Sequence, residues 1–192
     1  MTTSRIRVVV NGAPDSFSRI AEIEAIEASA AVPLTPTVNV AAASAGATAS
    51  SSTTYSDGYS PAGAINGDRK GLNWGAGGGW NDATAGSFPD WLQVDFAGAK
   101  TISEVRVFSV QDNFGAPGEP TSAQTFSLYG LTSFTVQYWD GAQWVTVPGG
   151  TITGNWHVWR TVSFPAVTTS RIRVVVNGAA DGYSRLAEVE AR

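Results

Sequence analysis

Apolar residues recur at every second position along this chain, in short runs that stop at glycine, proline, asparagine or serine. In residues 5–10, Ile6, Val8 and Val10 share one face while Arg5, Arg7 and Val9 share the other. A period of two sends successive side chains to opposite faces of an extended backbone, so each run predicts a half-buried strand. Residues 91–96 set Leu92, Val94 and Phe96 against Trp91, Gln93 and Asp95. Phe134, Val136 and Tyr138 alternate in the same way with Thr135, Gln137 and Trp139. Further strands are predicted at 47–53, 102–110, 143–147, 158–164, 171–176 and 185–190. Asp140-Gly141, between two such runs, predicts a hairpin turn. Helical periodicity is almost absent. Residues 19–31 are ambiguous between the two periods, and a closely similar stretch at 185–191 favours strand. Many short strands without an alternating helix predict an all-β, antiparallel jelly-roll sandwich.

The same pattern exposes a repeat. Residues 2–25, TTSRIRVVVNGAPDSFSRIAEIEA, return at 168–191 as TTSRIRVVVNGAADGYSRLAEVEA. Five of the 24 aligned positions differ: Pro14/Ala180, Ser16/Gly182, Phe17/Tyr183, Ile20/Leu186 and Ile23/Val189. Nothing between the copies is repeated. One period plus a second copy of its last hairpin is what a tandem array of near-identical modules yields when cut slightly beyond one unit. The reading divides the chain into residues 1–28, the duplicated terminal hairpin of a preceding module; 29–37, a linker with Pro33 and Pro36; and 38–192, the sandwich itself.

Composition narrows the chemistry. The net charge is −4 and only two lysines occur, Lys70 and Lys100. With no basic footprint, nucleic acid is not an expected partner. There is no cysteine, so neither disulfides nor thiolate chemistry are available. No run of eighteen apolar residues predicts a membrane span. Any export signal would lie outside these residues.

Charged residues make up only 15% of the chain, against about a quarter in ordinary domains, yet there are seven tryptophans. Saccharide recognition needs an aromatic face for the C–H side of a sugar ring and planar polar groups for its hydroxyls. Three segments offer both: Trp80, Asn81 and Asp82 in a long glycine-rich loop; Gln111, Asp112, Asn113 and Phe114 after a strand; and Trp156 with His157 in a turn. Trp74, Trp91, Trp139, Trp144 and Trp159 are read as packing residues. His157 is the only histidine, and no nucleophile or acid stands at motif spacing from it. Asp82, Asp90, Asp112 and Glu119 lie in loops where acids are ordinary turn residues. Gly75–Gly79 lacks the following helix that a phosphate loop requires. No catalytic residue is assigned, and the chain is not expected to be an enzyme.

A second set of side chains suits a hard cation. Asn66, Asp68 and Glu188 are oxygen donors, and turns at Gly67 and Gly71 would leave carbonyls free, as Ca²⁺ prefers. The alternative is that Asn66 and Asp68 merely cap a tight turn while Glu188 is solvated.

In order along the chain, AINGD at 64–68, WLQVDF at 91–96, FTVQYWDGAQWVTVP at 134–148 and the closing AEVEA at 187–191 resemble a discoidin-like module, the coagulation-factor type C family within the galactose-binding-like β-sandwiches. The resemblance covers roughly residues 37–191. It implies an eight-stranded jelly-roll sandwich whose loops at one end bind carbohydrate, lipid head group or protein. It also implies a structural calcium in the 66–71 loop, closed by a last-strand glutamate that maps onto Glu188. Many bacterial relatives are carbohydrate-binding modules of secreted glycosidases or surface proteins. This chain departs from the family at residues 69–74, RKGLNW, and lacks the cysteine pair of vertebrate relatives.

The expected function is therefore non-catalytic binding of a carbohydrate or glycoconjugate by an extracellular bacterial adhesion module. The alternative is a structural repeat or fibre subunit with no small ligand. The duplicated hairpin supplies its mechanism: Ile6, Val8, Val10, Ile20 and Ile23 would pack on another module or complete a neighbouring copy's sheet, giving a homo-oligomer or head-to-tail filament.

Overall fold

The computed structural model describes residues 7–12, 17, 20 and 38–192. The chain divides into two compact units, Met1–Pro36 and Thr37–Arg192. The proposed linker at 29–37, the assembly residues Ile6 and Ile23, and nearly all of the ambiguous 19–31 stretch lie outside the described residues. Residues 7–10, within the first predicted strand, belong to no strand, and Val8 and Val10 are 53% and 41% exposed. Alternation alone does not make a strand: an isolated apolar-faced pair is marginal in water until a sheet covers it.

In the second unit the period-two runs become seven strands, all paired antiparallel: β1 (Thr48–Ser51), β2 (Trp80–Asn81), β3 (Asp90–Ser109), β4 (Leu131–Trp139), β5 (Trp144–Ile152), β6 (Trp159–Ala179) and β7 (Arg185–Ala191). Their order is β2-β7-β3-β6-β4-β5, with β1 on the free side of the first half of β3. The family resemblance implies eight strands; among the described residues there are seven, because two of them serve both layers. The first half of β3 pairs with β1 and with the second half of β6, while its second half pairs with β7 and with the first half of β6. Two layers of a sandwich are thus joined through strands that turn the corner between them.

Those corners correct the sequence reading, which takes 91–96 and 102–110 as separate strands, and likewise 158–164 and 171–176. The β3–β6 ladder continues through two register shifts, between Asp95 and Lys100 and between Ile102 and Glu104. Gly98, at φ 80°, sits in the first. Pro165, with no N–H to give, falls opposite the second, where no ladder bond is required of it. Residues that read as strand stops are instead the bends that let one strand cross both sheets.

The core lies between the layers. Leu92, Val94, Val105 and Val107 of β3 meet Phe134 and Val136 of β4, Ile172, Val174 and Val176 of β6, and Leu186 and Val189 of β7. Full burial of each such side chain stabilises by about 1.5–3 kcal/mol. The β4–β5 hairpin closes as the Asp-Gly pair predicts: Asp140 Oδ1 accepts from the Ala142 and Gln143 amides, both at 2.8 Å. In β7, Leu186 to Ala191 are buried on both faces. The 3-10 turn Pro61–Ile65 and the loop after it cover the outer face.

Candidate functional site

At one end of the sandwich the loops enclose a cleft of about 320 Å³, within the roughly 300–1,000 Å³ range of small-molecule sites. Its walls are Tyr55, Tyr59, Trp74, Phe114, Tyr129 and Tyr183, with Val110, Asn81 and Arg185 completing the lining. The rings form a chain of edge-to-face contacts: Tyr183 to Tyr55 at 6.0 Å, Tyr55 to Tyr59 at 5.6 Å, and Tyr59 to Trp74 at 5.5 Å between centroids. Phe114 and Tyr129 form a further pair at 5.6 Å. The Arg185 guanidinium lies over Tyr183 at 5.0 Å and Tyr129 at 5.3 Å, and pairs with Asp181. It is the one charged group of the lining.

Local structure explains how these residues meet. β2 is only two residues long, and its pairing with β7 sets Trp80 opposite Leu186 and Asn81 opposite Arg185. That register places Asn81 and Arg185 side by side in the cleft. The loop approaches so closely that glycine is required: a Cβ on Gly58 would stand 2.0 Å from the Gly75 carbonyl oxygen, and one on Gly78 1.9 Å from that of Leu72. The glycine-rich stretch thus brings Tyr59 and Trp74 together by letting backbones touch.

Asn81 and Phe114, singled out in the sequence, line the cleft, and Phe114 is 42% exposed. Trp80 does not present a ring to ligand. It is 0% exposed, and its indole N–H donates to the Thr53 carbonyl at 2.9 Å, which anchors the cleft from behind. Asp82 is also fully buried: one oxygen accepts from the Ser184 amide at 2.6 Å and the other from the Thr84 amide at 2.6 Å. It holds the loop against the start of β7.

Asp112 clamps the loop before β4 through the Ser127 and Leu128 amides at 2.8 and 2.9 Å. Burial works against its charge, but these backbone donors outweigh it and hold the carboxyl below the usual range. Asn113 closes a turn onto Ala116. Trp156 and His157 do not line the cleft; Trp156 is 61% exposed, its carbonyl accepts from the Phe126 amide at 2.9 Å, and His157 forms an isolated antiparallel bridge with Thr125. The sequence reading assigned Trp74 to packing, and gave no role to Tyr55, Tyr59, Tyr129, Tyr183 or Arg185. Tyr55 and Tyr183 flank predicted strands and Arg185 opens one, a weak signal that could have found these three.

The loop that carries the proposed metal ligands Asn66 and Asp68 packs against Glu188 of β7. Glu188 is 0% exposed, so it is not the solvated side chain of the alternative reading. Both its oxygens face one donor, the Gly67 amide, at 3.2 Å each. Burial pushes its carboxyl up to about 8, and the nearby charges of Glu190 and Asp68 add to the effect. Asn66 Oδ1 accepts from the Asp68 amide at 2.7 Å, and Asp68 accepts from Lys70 and Leu72 at 3.2 and 2.7 Å. Gly71, at φ 74°, ends the turn.

A buried, under-bonded carboxylate beside Asp68 and Asn66 is an oxygen-only donor set that fits a hard divalent cation. Among the described residues no three acidic, histidine or cysteine side chains converge, so backbone carbonyls would complete such a shell. Beside it, Arg69 grips Glu190 through two bonds, at 2.6 and 3.2 Å.

Residues 46–189 match the family model of the F5/8 type C domain. No curated protein matches the chain. The family 32 carbohydrate-binding module of Streptococcus pneumoniae EndoD is similar over 80% of this chain and 98% of its own, with TM-score 0.60 and 17% identity. Chitosan-binding module 1 of a Paenibacillus sp. IK-5 chitosanase/glucanase covers the same 80% and 98%, with TM-score 0.57 and 21% identity. The family 32 module of C. perfringens NanJ, in complex with galactose, covers 76% and 92%, with TM-score 0.53 and 17% identity. At such identities the likeness establishes a shared β-sandwich fold.

Proposed function

Because the chain belongs to the F5/8 type C domain family, we propose that its sandwich is a non-catalytic carbohydrate-binding module that holds a saccharide in the aromatic cleft. The observation that carries this reading is the lining itself. Rings of Tyr59, Trp74, Phe114 and Tyr183 offer apolar faces to the C–H side of a pyranose, while Arg185 and Asn81 stand adjacent to meet hydroxyls. Similar solved modules that bind galactose or chitosan support the class of ligand. An extracellular bacterial adhesion protein is the setting that suits such a module; no helix among the described residues is long and apolar enough to cross a membrane.

Affinity electrophoresis against a panel of polysaccharides, followed by calorimetry on the best ligand, tests the proposal. Trp74→Ala, Phe114→Ala and Arg185→Ala should each weaken binding at least ~10-fold, about 1.4 kcal/mol. Trp156→Ala should leave it unchanged. Retained affinity in all three cleft variants would reject the cleft as the site.

The same reading includes a structural Ca²⁺ held by Asn66, Asp68, the Gly71 turn and Glu188. Its role would be to keep Glu188 ionised and lock the loop. Calcium titration followed by thermal melting should raise the melting temperature of the wild type and not that of Glu188→Gln. No rise in the wild type would remove the metal. The repeated segment favours a second reading, module-to-module assembly without a small ligand, and silence across the whole polysaccharide panel would point to it.

A further inference from the structure

We propose that residues 2–25 are a second occupant for the place that residues 168–191 fill in the sandwich, so that the chain can close its fold with either end. The place is a built one. It lies between the first half of β3 and β4 for the end of β6, and between β2 and the second half of β3 for β7. Ile172, Val174 and Val176 are at most 1% exposed there, and their counterparts Ile6, Val8 and Val10 are identical. In the N-terminal copy Val8 is 53% and Ile20 50% exposed, apolar side chains that the place in the sandwich would bury.

The acidic residues are the more specific sign. A buried glutamate is costly unless the body supplies its partner. Here Gly67 serves Glu188 and Arg69 serves Glu190, and the N-terminal copy retains both acids as Glu22 and Glu24. A segment destined for solvent needs neither acid at that spacing within an apolar frame.

The chain can make the exchange within one molecule. The Ala191 amide donates to Asn39 Oδ1 at 3.0 Å, and its carbonyl accepts from the Val40 amide at 2.9 Å. A copy ending with Ala25 in the position of Ala191 would therefore rejoin the body at its neighbour Asn39 through residues 26–38. A loop of 13 residues closes so short a gap at modest entropic cost.

The sequence differences rank the two occupants. The Ala180 amide donates to the Gly130 carbonyl at 3.0 Å, and Pro14 has no proton to give. Gly182 has φ 87°, with an ideal Cβ only 3.1 Å from the Gly86 nitrogen, so Ser16 is strained there. The C-terminal copy is the favoured occupant and the N-terminal copy the reserve. This exchange is independent of the sugar reading, although it would replace Tyr183 of the cleft by Phe17.

The test uses the full chain. Leu186→Asp should disable β7 yet leave a cooperative thermal transition at monomer mass, with residues 168–191 newly open to protease. Adding Ile20→Asp should abolish that transition. Adding Pro14→Ala and Ser16→Gly to Leu186→Asp should instead raise the melting temperature. Equal unfolding of the single and double Asp variants, with no recovery from the Pro14 and Ser16 changes, would overturn the proposal. Recovery only in dimers would overturn closure within one chain.

Discussion

Glu188 is a carboxyl that folding buries completely and that burial pushes up to about 8. A raised carboxyl means the folded state binds the proton more tightly than the unfolded chain. Its contribution to stability is therefore full below the unfolded value of 4.5, declines as pH rises, and is lost once pH passes about 8. In chelator, the melting temperature should fall between pH 5 and pH 8.5, and Glu188→Gln should flatten that slope. A wild-type slope unchanged by the substitution would show that another group titrates. Bound calcium favours the ionised form, so it should flatten the profile too. At this scale the sequence was legible in donor chemistry but not in orientation. Trp74 and Trp80 lie in the same glycine-rich loop, and nothing in their spacing says which ring faces the cleft. The two-residue pairing of β2 with β7 decides it, and that is a contact between distant parts of the chain.

At the scale of elements, period two located every strand of the second unit except β2, which is too short to show a period. It failed where strands bend, because Gly98 and Pro165 look like stops until the opposite strand is known to shift register beside them. Residues 7–10 show the converse failure: the alternation is there, but no strand is. The glycine-rich loop is specified by close approach. Gly58→Ala would drive a Cβ into the Gly75 carbonyl, and overpacking of this kind should cost about 1–3 kcal/mol and weaken saccharide binding by displacing Tyr59. Gly118→Ala meets nothing within 4 Å and should change stability by no more than ~0.5 kcal/mol. Thermal melts of the two variants would check this contrast. Equal effects would mean that loop contacts do not set the cleft.

At the scale of the molecule, the all-β sandwich was readable because each level of the sequence agreed on it: alternating runs, an Asp-Gly hairpin, and a closing strand repeated at the front of the chain. The position of the cleft was only half readable. Its rings come from five separate segments, and tyrosines before a strand look like ordinary turn residues until the sandwich gathers its loops at one end. The proposed function places a saccharide at this end. The most direct measurement is chemical-shift mapping of the labelled protein during titration with the tightest saccharide from the polysaccharide panel. Saturating shifts confined to the Trp74 indole, the Asn81 amide, and the Phe114, Tyr183 and Arg185 resonances are the expected result. Saturable binding that leaves those signals in place and moves others would contradict it.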